Sequence, residues 1–135
     1  MRHTVRLHGV IVGHSELEHA EPDIGRAWGQ FRPGLGYEVV QPVFRLFAHA
    51  VPRDGTQDKA LLERYYSARD ALKLELIAAD GSAIKASAIH IEDYTIEEGP
   101  SAIEVDVLVN DESYWKERAL GWSAANGSAD GSRLG

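Results

Sequence analysis

The sequence predicts an α+β fold: a single domain in which a mainly antiparallel sheet, in the order β-β-α-α-β-β-β, packs on a two-helix hairpin. Three observations lead there. Ile103, Val105, Val107 and Val109 alternate with Glu104, Asp106 and Asn110, the period of a strand with one buried face. Val40, Val43, Phe44, Phe47 and Val51 stand at i, i+3, i+4, i+7 and i+11, the stripe of an amphipathic helix. Asp80-Gly81 and Gly99-Pro100 separate apolar runs, as turn dipeptides do.

Taken from the N-terminus, Val5, Leu7 and Ile11 share one parity while Thr4, Arg6, His8 and His14 take the other. This reads as one strand continuing through Leu17. Glu21-Pro22-Asp23-Ile24-Gly25 has turn chemistry, and Ala27, Trp28 and Phe31 form the returning strand. Pro33-Gly34-Leu35-Gly36 then breaks the chain. Proline is tolerated in the first turn of a helix, so Pro42 places the start of the first helix near Gln41. Pro52-Arg53-Asp54-Gly55 ends it, and Thr56 is the expected N-cap of a second helix carrying Leu61, Leu62, Tyr65 and Ala68.

Leu72, Leu74 and Leu76 open a three-stranded meander, with Asp80-Gly81 as a two-residue type I′ turn. The apolar phase passes from even positions at Ile84 to odd ones at Ile89 and Ile91. That flip asks for a β-bulge near residues 86–88. Leu74, Leu76, Val105 and Val107 are the expected buried face. Asp111 caps a brief helix through Tyr114, Trp115 and Arg118, closed by Gly121. The domain therefore covers residues 1–122, and residues 123–135, small and polar, read as a disordered tail.

Composition narrows the function. The 135 residues contain no cysteine, which excludes disulfides, thiolate metal sites and cysteine nucleophiles. No apolar stretch approaches the roughly 20 residues of a membrane span, and the alternating N-terminus is unlike a signal peptide, so a cytoplasmic protein is expected. The net charge of −7 is unevenly placed. Residues 1–91 hold eleven basic and eleven acidic side chains, whereas residues 92–135 hold three and ten. Between Glu92 and Glu112 there are eight carboxylates and no Lys or Arg. Such a surface gains nothing from phosphates, which argues against nucleic acid as a partner.

The acidic run is the leading functional candidate. Alternating carboxylates are ordinary on a solvated strand face, but mixed signs are the usual surface and like charges across strands repel. A docking surface for a basic protein partner would use that charge for steering, with Glu92, Asp93, Glu97, Glu98, Glu104 and Asp106 as the contact residues. The expected function is thus a non-enzymatic interaction module without a cofactor, of the kind that includes inhibitors and immunity-type proteins. The alternative is a small metal-binding or His/carboxylate enzyme. In that reading His14, Glu16 and Glu18 project from one strand face about 6.6–7 Å apart, with His90 as a further ligand. His90 and Glu92 also share a face, as a general base and its orienting group would. Tyr65, Tyr66 and Arg69 form an aromatic–arginine group suited to a helix end or a protein contact.

Overall fold

The computed structural model describes residues 1–130. Nine strands form two antiparallel sheets rather than the single sheet expected. In chain order the elements are β1 (His3–Leu7), β2 (Val10–Ser15), β3 (His19–Glu21), β4 (Arg26–Gln30), β5 (Arg32–Pro33), α1 (Tyr37–Ala50) and α2 (Lys59–Leu72). They continue with β6 (Glu75–Ile77), β7 (Ala83–Ile84), β8 (Ala86–Asp93), α3 (Thr95–Glu98), β9 (Ile103–Val109) and α4 (Glu112–Asp130). The five-stranded sheet has the order β5-β2-β1-β6-β7 and the four-stranded sheet the order β3-β4-β9-β8. No helix among the described residues is long and apolar enough to cross a membrane.

The chain changes sheet three times with almost no connector: between β2 and β3, at Phe31 between β4 and β5, and at Lys85 between β7 and β8. Bends and bulges are how a strand leaves one sheet for its neighbour. The flip in apolar phase after Ile84 marks one of these corners. The predicted bulge lies just beyond it, since Ala86 faces Val109, Ala88 faces Leu108, and Ser87 is the extra residue. At the second corner Phe31 is fully buried and donates its N–H to the Ile103 carbonyl at 3.1 Å. Gly13 makes room for it: a Cβ there would stand 2.3 Å from the Phe31 ring.

Several local expectations are corrected. The first strand is not continuous; His8 (φ 49°) and Gly9 (φ 82°) form a two-residue turn that pairs Leu7 with Val10. Both central residues have the positive φ of a type I′ turn, with Gly9 taking it free of a Cβ clash. Asp80-Gly81, conversely, lies in a three-residue loop in which Gly81 alone has positive φ (89°), closed by the Ala78 N–H on the Ser82 carbonyl at 2.8 Å. Leu72 belongs to the last turn of α2, and Lys73 in a left-handed conformation ends that helix. The helix is capped by Asp58, which accepts the Leu61 N–H at 3.0 Å, while Thr56 is held by Asp54.

A further correction concerns α1, which begins at Tyr37 and contains Pro42. Burial of Tyr37 and Val40 stabilises the extra turn. The proline costs the hydrogen bond to the Glu38 carbonyl and crowds that carbonyl with its ring. Asp111 does precede the last helix, accepting the Tyr114 N–H at 3.3 Å, but α4 runs past Gly121. Of the expected tail, residues 131–135 lie outside the described residues.

One apolar cluster joins both sheets and the helical hairpin. Val5, Val12 and Leu76 come from the first sheet and Ala27, Ile89, Ile91, Val105 and Val107 from the second, with Phe44 of α1 and Tyr65 of α2 closing the side. Leu76, Val105 and Val107 are buried as expected, whereas Leu74, outside a strand, is half-buried. The inward residues of β9 and β8 leave their neighbours facing outward, and this positions the carboxylates.

Candidate functional site

Cross-strand pairing assembles the outer face of the four-stranded sheet. One row runs Glu21, Arg26, Leu108, Ala88; the next runs His19, Trp28, Asp106, His90; the third joins Gln30, Glu104 and Glu92. Glu92 and Glu104 are direct partners across β8 and β9, a like-charge pair that opposes sheet formation. Asp106 is neutralised by Arg26, whose Nε and Nη2 donate to its two oxygens at 3.0 and 2.7 Å; Nη1 reaches Glu21 at 3.2 Å. The hydrogen bond to Asp106, with that to Glu21, raises the Arg26 guanidinium above its ordinary value. That guanidinium lies 4.1 Å from the Trp28 ring centroid, and the tryptophan also stacks with His19 at 5.5 Å. The face therefore presents four carboxylates against one guanidinium, with a half-exposed tryptophan and Leu108 among them.

The remaining acidic candidates go elsewhere. Asp93 is fully buried, so its place on a docking surface is corrected. Its carboxylate accepts from Tyr37 Oη at 2.7 Å, Thr95 N and Oγ1 at 3.0 and 2.6 Å, and Gln41 Nε2 at 3.4 Å. Burial alone would raise this carboxyl, but the bonds from Thr95, Tyr37 and Gln41 together outweigh it and hold Asp93 below the usual aspartate range. Burial, reinforced by the bond to Asp93, pushes the Tyr37 hydroxyl far above its ordinary value. Glu97 holds Arg45 of α1 through two bonds of 2.8 and 2.7 Å, and Arg45 Nη1 also donates to the Asp93 carbonyl at 2.6 Å. Glu98 meets Arg53 at 3.0 Å, and Arg53 lies 3.8 Å from the Tyr94 ring centroid. Asp93 and Glu97 fasten the α3 turn to α1, and Glu98 fastens it to the loop after that helix. The arginines missing from the acidic run come from earlier in the chain.

The residues of the metal alternative are not brought together. His14 Nδ1 shares a hydrogen bond with Thr4 Oγ1 at 3.1 Å in the first sheet, whereas His90 lies in the second. The strand ends at Ser15 and Leu17 has φ 44°, so the alternation assumed for Glu16 and Glu18 breaks there. Glu16 pairs with the Met1 amino group at 2.9 Å, a bond that lowers its carboxyl pKa. Among the described residues no three His, Asp or Glu side chains are placed to share an ion.

His90 does pair with Glu92, at 3.4 Å through Nε2, and its Nδ1 bonds the Tyr65 hydroxyl. Phe47 packs edge-on to the same imidazole at 4.4 Å. The bond from His90 lowers the Glu92 carboxyl, and burial raises the Tyr65 hydroxyl. Both imidazole nitrogens are engaged, so this chain orients His90 between helix and sheet. Arg69 sits 5.1 Å from Tyr66. Arg26 and Trp28 were invisible as site residues because their significance lies in cross-strand rows. The paired parity of His19, Glu21 and of Arg26, Trp28 either side of the turn is the signal that would find them. The chain matches no protein-family model, and no curated protein or solved structure is similar to it.

Proposed function

We propose that the protein is a non-enzymatic interaction module that receives a basic protein partner on the outer face of its four-stranded sheet. The observation that carries this reading is the Glu92–Glu104 pair. Like charges directly opposite on an antiparallel ladder cost stability, and Glu104 has no ion-pair partner among the described residues. An incoming Arg or Lys would offset that repulsion, and Trp28 beside it supplies the large, rigid surface that protein contacts favour. Charge complementarity of this kind governs encounter rate more than final affinity.

The test is capture from the native host by wild-type protein and by the Glu92→Gln/Glu104→Gln double variant, followed by association kinetics on the captured protein. Asp106 and Glu97 are unsuitable targets, because neutralising them strands Arg26 and the nearly buried Arg45. A basic protein whose association slows about tenfold in the double variant, and slows again with added salt, supports the reading. A partner whose on-rate ignores both changes would overturn it.

A further inference from the structure

The acidic face calls for a cationic surface, and the chain carries one on its other sheet. On β1, Thr4 and Arg6 point away from the core, because Val5 between them is buried in it. Cross-strand pairing sets His14 beside Thr4 and Arg32 beside His14, while Ile11 stands opposite Arg6. Arg2, just before β1, continues the outward parity of Thr4 and is the diagonal neighbour of His14. The outer face of the five-stranded sheet thus gathers Arg2, Arg6, His14 and Arg32.

Their charges act on one another. Burial foremost, with the charges of Arg2 and Arg32 added, holds the His14 imidazole below the usual histidine range. The two carboxylates nearby are already engaged, Glu75 by Arg6 at 3.5 Å and Glu16 by the Met1 amino group at 2.9 Å. Arg2 and Arg32 are exposed, and neither has an ion pair among the described residues.

Apolar surface accompanies the charge. Ile11 is 48% exposed on this face, and Leu35, at the β5 edge of the sheet, is 99% exposed. The loop that carries Leu35 is fastened to β2: Gly34 N donates to the Val12 carbonyl at 2.8 Å and Gly36 N to the Ile11 carbonyl at 3.2 Å. A Cβ at position 36 would lie 2.4 Å from the Ile11 oxygen, so only glycine lets the loop lie this close. Aliphatic side chains held in solvent beside one another are surface that association would cover. Their counterparts on the acidic face are Trp28 and Leu108.

The two sheets close on one core from different sides, so their outer faces are turned apart. We propose that the basic partner of the acidic face is a second copy of this chain, presenting Arg2 and Arg32 to Glu92 and Glu104, with Ile11 and Leu35 set against Trp28 and Leu108. This rests on the proposed function and names its partner. Because the joined patches are unlike, the contact is heterologous: end copies keep one unused face each, and assembly continues into a ring or filament. The net charge of −7 opposes this only weakly. At physiological salt, exposed charges more than about 8–10 Å apart are screened, so the facing pairs decide.

The experiment is sedimentation velocity of the full chain across a wide concentration range, at about 20 mM and about 300 mM salt. At low salt the mass should rise past that of a dimer, and at high salt the chain should be monomeric. Arg2→Gln/Arg32→Gln lacks the basic face and Glu92→Gln/Glu104→Gln the acidic one, so each alone should associate at least tenfold more weakly. Mixed, they should form a 1:1 dimer and nothing larger, since one working face remains on each. Thermal melts establish that both are folded; if either melts early, Arg32→Gln and Glu104→Gln replace them, with the same pattern expected. A wild type that is monomeric at low salt, an assembly that stops at two, association undiminished in either variant, or a mixture that stays monomeric would each overturn the proposal. A hexa-arginine peptide separates that failure from failure of the receiving face. If the wild type stays monomeric yet binds the peptide, and Glu92→Gln/Glu104→Gln does not, self-pairing falls and the proposed function stands; if the peptide is not bound either, both fall.

Discussion

Asp93 and Glu92 are adjacent on β8 and meet opposite conditions. The Asp93 carboxylate is enclosed where the strand meets α1 and α3, satisfied by Tyr37, Thr95 and Gln41. Glu92 faces outward against Glu104, with only His90 beside it. Strand alternation sends neighbours to opposite faces, so a continuous acidic run in sequence becomes two unlike regions in space. At one, carboxylates are structural anchors for arginines and tyrosine. At the other, Glu92 and Glu104 stand opposite each other with no guanidinium between them, and this is the face proposed above for a partner.

Substitution at Asp93 should have the largest effect. Asp93→Asn keeps the shape but removes one acceptor oxygen and the charge from a site holding several donors. It should cost about 2–4 kcal/mol, read from urea unfolding. A midpoint equal to wild type would erase the distinction between the two regions. Next, the two faces of β9 can be compared directly. Val107→Ala, on the fully buried side, should cost about 1–3 kcal/mol, whereas Leu108→Ala, 42% exposed on the outer side, should cost less than about 1 kcal/mol. A reversed order would mean that the outer face is covered.

Acid should sharpen the contrast further. Because the folded Asp93 carboxyl lies below its unfolded value of about 3.9, its contribution is fully present above that pH and is lost as pH falls through the folded value. Glu92 and Glu97, also lowered, act in the same direction. The wild type should therefore lose stability more steeply than Asp93→Asn below about pH 4; parallel curves would remove Asp93 from the acid response. His3 and His14 are lowered by burial, so the unfolded chain binds their protons first and stability should already decline below about pH 6.5. His3→Leu should flatten that upper limb, and an unchanged slope would exclude His3 as its source. The smallest effect is expected at Glu104→Gln, whose stability should stay within about 0.5 kcal/mol of wild type and move upward, as the opposed charge is relieved. A clear loss would reveal a favourable contact for Glu104.

Within single elements, the sequence carried much of this arrangement. The alternation of Ile103, Val105, Val107 and Val109 with polar residues specifies a half-buried strand, and the stripe from Val40 to Val51 specifies an amphipathic helix. The bulge at Ser87 is legible because one extra residue inverts the parity of everything after it. The α+β class and its antiparallel pairing follow from those local patterns.

Tertiary structure alone decided which carboxylate meets which cation and which turn takes which form. Arg26, Arg45 and Arg53 reach Asp106, Glu97 and Glu98 across 80, 52 and 45 positions, separations at which composition cannot distinguish a bare acidic run from a paired one. The division into two sheets was likewise hidden, since the phase flip after Ile84 signals an extra residue but does not say whether the strand stays in its sheet or leaves for another. Pro42 could enter α1 because the burial of Tyr37 and Val40 outweighs both the lost hydrogen bond and the crowding of the Glu38 carbonyl. The segment around Glu16 and Glu18 was singled out from sequence, but the histidine brought beside it is His3 rather than His14. Local pattern depends on neighbours within a few residues, whereas a site depends on elements that meet only after the chain has folded.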